Sequence, residues 1–139
     1  MKSFTLAQAG SFVQAAEGLV HPTFSLPVLK AGGVDLLDHL KEGLIQPDVV
    51  INVRRINVSE PPVTVIDGGL RIEANATLAQ LAASPLVSGQ TAVLAQAAAS
   101  AATPAIRNVA TVAGNLLQRP RCWYYRHAQF DCQIGRAHV

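Results

Sequence analysis

Three segments of the sequence contain residue types that could bind a ligand or a metal ion. In the first, residues 29–36, Gly32 and Gly33 lie between an apolar run and a possible helix start. Glycine permits positive φ and lets a ligand approach the backbone closely, and successive N–H groups before a helix favour a phosphate. The segment has neither the dinucleotide-binding nor the Walker spacing. By itself it is more typical of a simple turn.

The second segment, residues 104–116, places small residues around Thr111 and Gly114. Small side chains would let a ligand lie close to the backbone, and the Thr111 hydroxyl and the Asn115 amide could form hydrogen bonds with it. The alternative is an ordinary strand followed by a turn with buried alanines. Taken alone, these residues favour that alternative.

The third segment, residues 119–132, interleaves arginines, aromatic residues and two cysteines. Arginines with aromatic residues are typical of platforms for single-stranded nucleic acid. Cysteine and histidine are also zinc ligands, and Cys122, His127, Cys132 and His138 invite a zinc-knuckle interpretation. We reject it because His138 lies in a terminal segment of doubtful origin, and three ligands are too few for a closed site. The alternative for the cysteines is two unrelated thiols.

Hydrophobic periodicity and turn residues predict the elements that position these segments. Helices are predicted at residues 8–18, 36–42, 77–83 and 91–102, and strands at residues 25–29, 49–53, 63–66 and 70–74. Asp67, Gly68 and Gly69 form a hairpin signal between the last two strands. The early alternation of strand and helix predicts an α/β (α+β) fold with some parallel strand pairing. Neither an internal repeat nor a domain boundary is evident.

Composition limits the classes of protein that fit this chain. Its 139 residues fit one domain or a piece of one, and 50% hydrophobic against 14% charged residues exclude intrinsic disorder. No apolar run approaches the ~20 residues of a membrane helix, and the N-terminus lacks the apolar block of a signal peptide. The net charge of +2 is too small for a general nucleic-acid binder, although basic residues predominate from Arg107 onward.

Several motifs occur in the order expected of one protein family. They are Lys-Ala-Gly-Gly-Val-Asp-Leu-Leu at 30–37, Pro-Asp-Val-Val-Ile-Asn-Val at 47–53, Gly-Gly-Leu-Arg-Ile at 68–72, Thr-Leu-Ala-Gln-Leu-Ala-Ala-Ser-Pro at 77–85, Ile-Arg-Asn-Val-Ala-Thr at 106–111 and Gly-Asn-Leu at 114–116. From the N-terminus to Cys132 the chain resembles the FAD-binding medium subunit of the molybdenum hydroxylases, the xanthine dehydrogenase and aldehyde oxidoreductase family. The resemblance implies the N-terminal part of a PCMH-type FAD-binding domain, with small mixed sheets and flanking helices.

The resemblance assigns FAD-binding positions to two segments. The family loop that wraps the FAD pyrophosphate corresponds to Leu29, Lys30, Ala31, Gly32, Gly33, Val34, Asp35 and Leu36, and the second flavin-contacting segment to Thr111, Gly114 and Asn115. This chain departs from the family at two positions. Val34 replaces a usual threonine and removes a possible hydroxyl contact. Ala113 replaces a usual glycine and adds a methyl at a point of close approach.

Residues 118–132 resemble a subgroup, typified by the periplasmic aldehyde oxidoreductases, that has an extra [4Fe–4S] cluster in the flavin subunit. The resemblance assigns Cys122 and Cys132 to two cluster ligands, since thiolates hold such clusters, and puts two more ligands beyond Gln133. It implies a heterotrimer with a small [2Fe–2S] subunit and a large molybdopterin subunit, in which electrons pass through FAD to an acceptor. No residue of this chain is assigned a catalytic role. Neither a membrane nor nucleic acid is an expected partner.

Two alternatives stay open: a flavin subunit of the same fold without the extra cluster, and a small RNA-binding module that uses the arginines and aromatic residues. Residues 134–139 resemble one translated frame of a short-read sequencing adapter, so we expect residues 1–133 to be a truncated part of the FAD-binding domain. Such a piece would retain FAD weakly or not at all and would be inactive alone. With no signal peptide on the chain, a cytoplasmic and a periplasmic location both fit.

Overall fold

The computed structural model describes residues 2–56, 61–127 and 129–132. These residues fold into two compact units. The first unit comprises the described parts of residues 2–30, 35–56 and 117–132, and the second comprises residues 31–34 and 61–116. Because the chain passes from the first unit to the second and back twice, no single boundary is visible in the sequence.

A three-stranded parallel sheet forms the centre of the first unit. Its strands are β1 (Thr5–Gln8), β2 (Pro27–Lys30) and β3 (Val49–Asn52), in the order β1-β3-β2. The apolar run of β3 is buried, as expected of a central strand in a parallel sheet. The strands predicted at residues 25–29 and 49–53 are therefore confirmed, with ends shifted by at most two residues.

The helix predicted at residues 8–18 is wrong at its start. The structure has strand β1 there, followed by helix α1 (Phe12–Leu19). Ser11 begins α1 as its N-cap, because its side chain accepts the Gln14 N–H at 3.1 Å. Strand β1 forms by pairing with β3, far along the chain, and Thr5 aligns with Val49. Local periodicity carries no information about such a pairing.

Helix α2 (Val34–Lys41) connects β2 to β3. It begins two residues earlier than predicted, so Asp35 lies in its first turn. The chain leaves the helix at Gly43, which has a φ of +70°. The Leu44 N–H then donates to the His39 carbonyl at 2.9 Å, which completes a glycine-terminated helix end.

In the second unit the structure describes a hairpin and four short α-helices. Strands β4 (Val63–Ile66) and β5 (Gly69–Ile72) pair antiparallel, and Gly68 takes a φ of +76° in the turn between them. This confirms the predicted hairpin. The helices are α3 (Leu78–Ala83), α4 (Ala92–Ser100), α5 (Pro104–Arg107) and α6 (Val112–Leu116). The buried core of this unit contains Val63, Leu78, Leu81, Val87 and Ala98.

Local capping signals set the starts of these helices. Thr77 heads α3 as predicted: its hydroxyl oxygen accepts the Gln80 N–H at 3.1 Å, and the Gln80 side chain accepts the Thr77 N–H at 2.8 Å. The helix predicted at residues 91–102 is confirmed as the shorter α4. Residues 104–116 form α5 and α6 instead of a strand and a turn, because Thr103 caps α5 and Pro104 lies in its first turn.

These small sheets with their flanking helices confirm the predicted α/β fold class. The longest helix among the described residues has nine residues. None of the described helices has the length and apolar character that a membrane span requires.

Candidate cofactor-binding site

The loop at Gly32 and Gly33 requires glycine at both positions, for two different reasons. Gly33 has a φ of +82°, a backbone conformation that favours glycine. A Cβ on Gly32 would overlap the Val109 carbonyl oxygen and would lie 3.3 Å from the Ala110 Cα. The loop therefore packs directly on the backbone of residues 109–110, within the second unit. Within this unit the structure thus brings Gly32 of the first segment against Val109 and Ala110 of the second.

Backbone hydrogen bonds fix the segment against which Gly32 packs. The N–H groups of Val109 and Ala110 both donate to the Ile106 carbonyl, at 3.0 and 2.8 Å. On the other side, the Leu78 N–H donates to the Ala110 carbonyl at 3.0 Å, and the Val112 N–H donates to the Ala76 carbonyl at 2.8 Å. The Val109 carbonyl consequently has little freedom to move away from an added methyl at Gly32.

Thr111, Gly114 and Asn115 lie together at the start of α6. Thr111 is 1% exposed, and its hydroxyl oxygen accepts the Gly114 N–H at 3.1 Å, so it closes the first turn of the helix. A Cβ on Gly114 would lie 2.9 Å from that oxygen. The Asn115 N–H donates to the Thr111 carbonyl at 2.8 Å, and Asn115 is half-buried. The Thr111 hydroxyl, which the sequence predicts to contact a ligand, therefore stabilises the first turn of α6 in this structure.

The remaining predicted positions lie on either side of the glycine loop. Leu29 and Lys30 end β2, and Val34, Asp35 and Leu36 begin α2. Asp35 differs from the others because its carboxylate accepts hydrogen bonds from protein donors. Ala113, the second departure from the family pattern, donates its N–H to the Ala74 carbonyl at 3.2 Å and keeps its place in α6.

Arg126 forms an ion-pair network with α2 that sequence reasoning missed. Its guanidinium donates to Asp35 Oδ1 at 2.6 Å and to Asp38 Oδ2 at 2.9 Å. The side chain is only 14% exposed, which makes these charged hydrogen bonds stronger than surface ion pairs. The sequence shows Asp35 and Asp38 three residues apart at the start of a predicted helix, a spacing that favours a cationic partner. Their partner could not be identified because it lies 91 residues beyond Asp35.

Asp35 is the centre of this network. The Arg119 N–H donates to Asp35 Oδ2 at 3.1 Å, and His39 Nδ1 lies 2.8 Å from the Asp35 carbonyl oxygen. Burial raises the pKa of Asp35, but the Arg119 N–H, the Arg126 guanidinium and His39 outweigh it and hold that pKa below the usual carboxyl range. Asp35 is therefore ionised in the folded protein at neutral pH.

The two cysteines of the third segment are neighbours in the first unit. The N–H groups of Tyr125 and Tyr124 donate to the Cys122 sulfur, the Cys132 side chain hydrogen-bonds to it, and together they lower the pKa of Cys122 from its usual value. Cys122 is exposed and Cys132 is half-buried. No group of three or more metal-ligating side chains occurs among the described residues, and His138 lies outside them.

Part of the arginine and aromatic segment is incorporated into the fold. Tyr125 is 8% exposed and packs edge-on against His39 with ring centroids 6.0 Å apart. Trp123, by contrast, is 91% exposed. With Arg126 paired to α2 and Tyr125 buried, two members of the proposed nucleic-acid platform are engaged within the protein.

The chain matches the family model described as the FAD binding domain in molybdopterin dehydrogenase over residues 2–128. It is 37% identical over 134 residues to the aldehyde oxidoreductase FAD-binding subunit PaoB of Escherichia coli (strain K12), covering 95% of this chain and 41% of that protein. It is 32% identical over 117 residues to the nicotinate dehydrogenase FAD-subunit of Eubacterium barkeri, covering 84% and 39%. The chain thus spans about two fifths of the length of these relatives.

Solved structures show the same fold. Quinoline 2-oxidoreductase from Pseudomonas putida 86 superposes with a TM-score of 0.73 at 26% identity, over 84% of this chain and 40% of that chain. Carbon monoxide dehydrogenase from Hydrogenophaga pseudoflava superposes with a TM-score of 0.72 at 29% identity, over 81% and 39%.

Proposed function

The chain belongs to the family of FAD-binding domains in molybdopterin dehydrogenases, and from this premise we propose that it is the N-terminal part of a subunit that carries FAD in a molybdenum hydroxylase. The whole protein would transfer electrons from the [2Fe–2S] clusters of a small subunit to an acceptor. A large molybdopterin subunit would oxidise an aldehyde or a heteroaromatic substrate. When bound, FAD supplies the redox chemistry, and the protein supplies binding, orientation and electrostatics.

The glycine loop carries the proposal for the FAD pyrophosphate. Gly33 has a positive φ, and Gly32 packs without a side chain on the Val109 backbone. The contact of Gly32 with the Val109 backbone and the positive φ of Gly33 fix the shape of the loop, and glycine loops of fixed shape can direct successive backbone N–H groups at a phosphate. Residues 29–36 would hold the pyrophosphate, and Thr111, Gly114 and Asn115 would contact the flavin from the second segment.

The cysteine pair supports the proposal of an extra [4Fe–4S] cluster. Cys122 and Cys132 are hydrogen-bonded to each other, and two backbone N–H groups stabilise the thiolate form of Cys122. Cluster sulfur atoms commonly accept such hydrogen bonds, which help to set the reduction potential. These residues therefore fit two of the four thiolate ligands of a cluster, and the others would come from sequence that follows Gln133 in the whole protein.

The FAD proposal is tested by a Gly32→Ala substitution in the full-length subunit. The added methyl would push the loop away from Val109, so we expect loss of most of the bound FAD, measured by flavin absorbance per protein after purification. Gly69→Ala is the matched control, because it lies in the same unit and a Cβ there meets nothing within 4 Å. Full FAD content in the Gly32→Ala variant, with the fold intact by circular dichroism, would contradict the proposal.

The cluster is tested on the same preparations. A flavin subunit with the extra cluster contains iron and acid-labile sulfide, and Cys122→Ser or Cys132→Ser removes them while FAD is retained. A wild-type subunit with FAD and no iron would favour the alternative without a cluster. The RNA-binding alternative expects salt-dependent binding to single strands without bound flavin.

A further inference from the structure

Resting on the proposed function, we propose that Arg126 is a positioning residue that holds the Cys122 segment on helix α2 in the geometry needed to bind a thiolate-coordinated metal. The proposal concerns the first unit alone. It assigns Arg126 no contact with the metal, because its side chain donates to α2 and to the backbone of its own segment.

Arg126 closes the Cys122 segment on itself through two hydrogen bonds. Arg126 Nε donates to the Pro120 carbonyl at 3.0 Å, two residues before Cys122. The Arg126 backbone N–H donates to the Cys122 carbonyl, also at 3.0 Å. One residue thus bonds both to the chain just before the cysteine and to the carbonyl of the cysteine itself. Cys122 lies inside a single turn that Arg126 closes.

Backbone groups of this turn orient the Cys122 sulfur. Within this turn the Cys122 sulfur accepts hydrogen bonds from the N–H groups of Tyr124 and Tyr125. An N-cap side chain accepts hydrogen bonds from the first N–H groups of a helix in the same way. The sulfur is therefore directed by backbone groups whose positions depend on the turn. The same sulfur meets the Cys132 side chain. Opening of the turn would separate the two thiols.

Arg126 also attaches the turn to helix α2. The Arg126 guanidinium binds Asp35 and Asp38 at 2.6 and 2.9 Å, on consecutive turns of α2. Its planar fork satisfies both carboxylates and the Pro120 carbonyl together, which a lysine ammonium cannot do with the same geometry. Groups that orient metal ligands typically contribute about 10–100-fold to metal affinity.

The test uses Cd²⁺ as the probe and the full 139-residue chain with its thiols reduced. Cadmium–thiolate charge-transfer absorbance in the ultraviolet reports binding. We expect wild type to bind Cd²⁺ through both cysteines, so that Cys122→Ser and Cys132→Ser each abolish the high-affinity signal. We expect Arg126→Gln to bind about 10–100-fold more weakly and Arg126→Lys to lie between Arg126→Gln and wild type.

Arg121→Gln is the matched control. Arg121 precedes Cys122, and its side chain is 54% exposed with a long 3.8 Å contact to Asp35. Its loss removes the same charge from the same segment. Removal of a positive charge by itself should strengthen the binding of a cation. If Arg126→Gln binds Cd²⁺ more weakly and Arg121→Gln does not, the loss comes from the position of Arg126 and not from the net charge. We expect Arg121→Gln to match wild type or to bind slightly more tightly.

The outcomes separate the inference from the proposed function. If both cysteines bind Cd²⁺ and Arg126→Gln binds it as tightly as wild type, the positioning role is wrong and the cluster proposal stands. If Cys122→Ser and Cys132→Ser bind Cd²⁺ as tightly as wild type, the assignment of the two cysteines as metal ligands is wrong, and so is the positioning role of Arg126. If Arg126→Gln loses its circular dichroism signal, the Cd²⁺ affinity of Asp38→Asn tests the positioning role instead. Asp38 is half-exposed, and this substitution removes only one of the contacts of Arg126. A several-fold weakening there supports the inference, and an unchanged affinity overturns it.

Discussion

The glycine loop and the Arg126 network hold their segments by different physical means. Gly32 packs on the Val109 backbone, and the contact depends on the absence of a side chain. Arg126 binds Asp35 and Asp38 through charged hydrogen bonds. The first arrangement is insensitive to pH and salt but does not tolerate one methyl group. The second depends on ionisation and on the planar geometry of the guanidinium. Each of the following predictions tests one side of this difference.

The largest effect is expected at the glycine loop. Gly32→Ala should lower the free energy of unfolding by about 3 kcal/mol, at the upper end of the range for overpacking, because the Val109 segment is held by hydrogen bonds on both sides. Urea unfolding of the variant and of the Gly69→Ala control measures the difference. A loss of equal size in both variants would show that glycine flexibility, and not the contact with Val109, is responsible.

The next effect is expected at the Arg126 network. Arg126→Gln should lower the free energy of unfolding at neutral pH by about 2 kcal/mol, because the partly buried Asp35 carboxylate keeps its charge and loses the short hydrogen bond from the Arg126 guanidinium. Urea unfolding measures the loss, which salt should reduce only slightly because a partly buried ion pair is weakly screened. A loss no larger than that of Arg121→Gln, whose side chain is 54% exposed, would contradict the prediction.

The pH dependence sharpens the same comparison. The pKa of Asp35 is lowered in the folded protein, so its contribution to stability is complete above its unfolded pKa, about 3.9, and is lost as the pH falls through the folded value. The penalty of Arg126→Gln should therefore decrease below about pH 4, while that of Gly32→Ala stays constant. Unfolding of both variants at neutral and acid pH measures this. Parallel curves for the two variants would remove the distinction between the regions.

A smaller loss is expected at the start of α3, which supports the segment under the glycine loop. Thr77→Ala removes the acceptor for the Gln80 N–H and should cost about 1 kcal/mol of unfolding free energy. Thr77→Ser keeps the hydroxyl and serves as the control. Thermal unfolding compares the two, and an equal loss in Thr77→Ser would implicate the lost methyl packing instead of the cap.

The smallest effect is a gain. Ala102 follows α4 with a φ of +49°, which L side chains adopt with strain. Ala102→Gly should stabilise the protein by about 0.5–1 kcal/mol after the flexibility of glycine is subtracted. Ala101→Gly is the control, because Ala101 has an ordinary φ of −72°. Thermal unfolding should show a gain in the first variant and none in the second.

Sequence alone predicted the features that depend on neighbouring residues. The helix start at Thr77, the hairpin at Gly68 and the helix end next to Gly43 each depend on a few adjacent residues, and the structure has all of them. The family was predicted from ordered motifs and is confirmed. The roles assigned to residues 29–36, to Thr111, Gly114 and Asn115, and to the cysteines stay predictions.

Tertiary structure alone decided which distant residues meet. Strand β1 exists because it pairs with β3, Gly32 is required because Val109 lies against it, and Arg126 pairs with an acid 91 residues away. The physical reason is common to all three. Backbone propensity and capping act within one or two turns of the chain, whereas packing and ion pairing depend on which elements the whole fold places side by side.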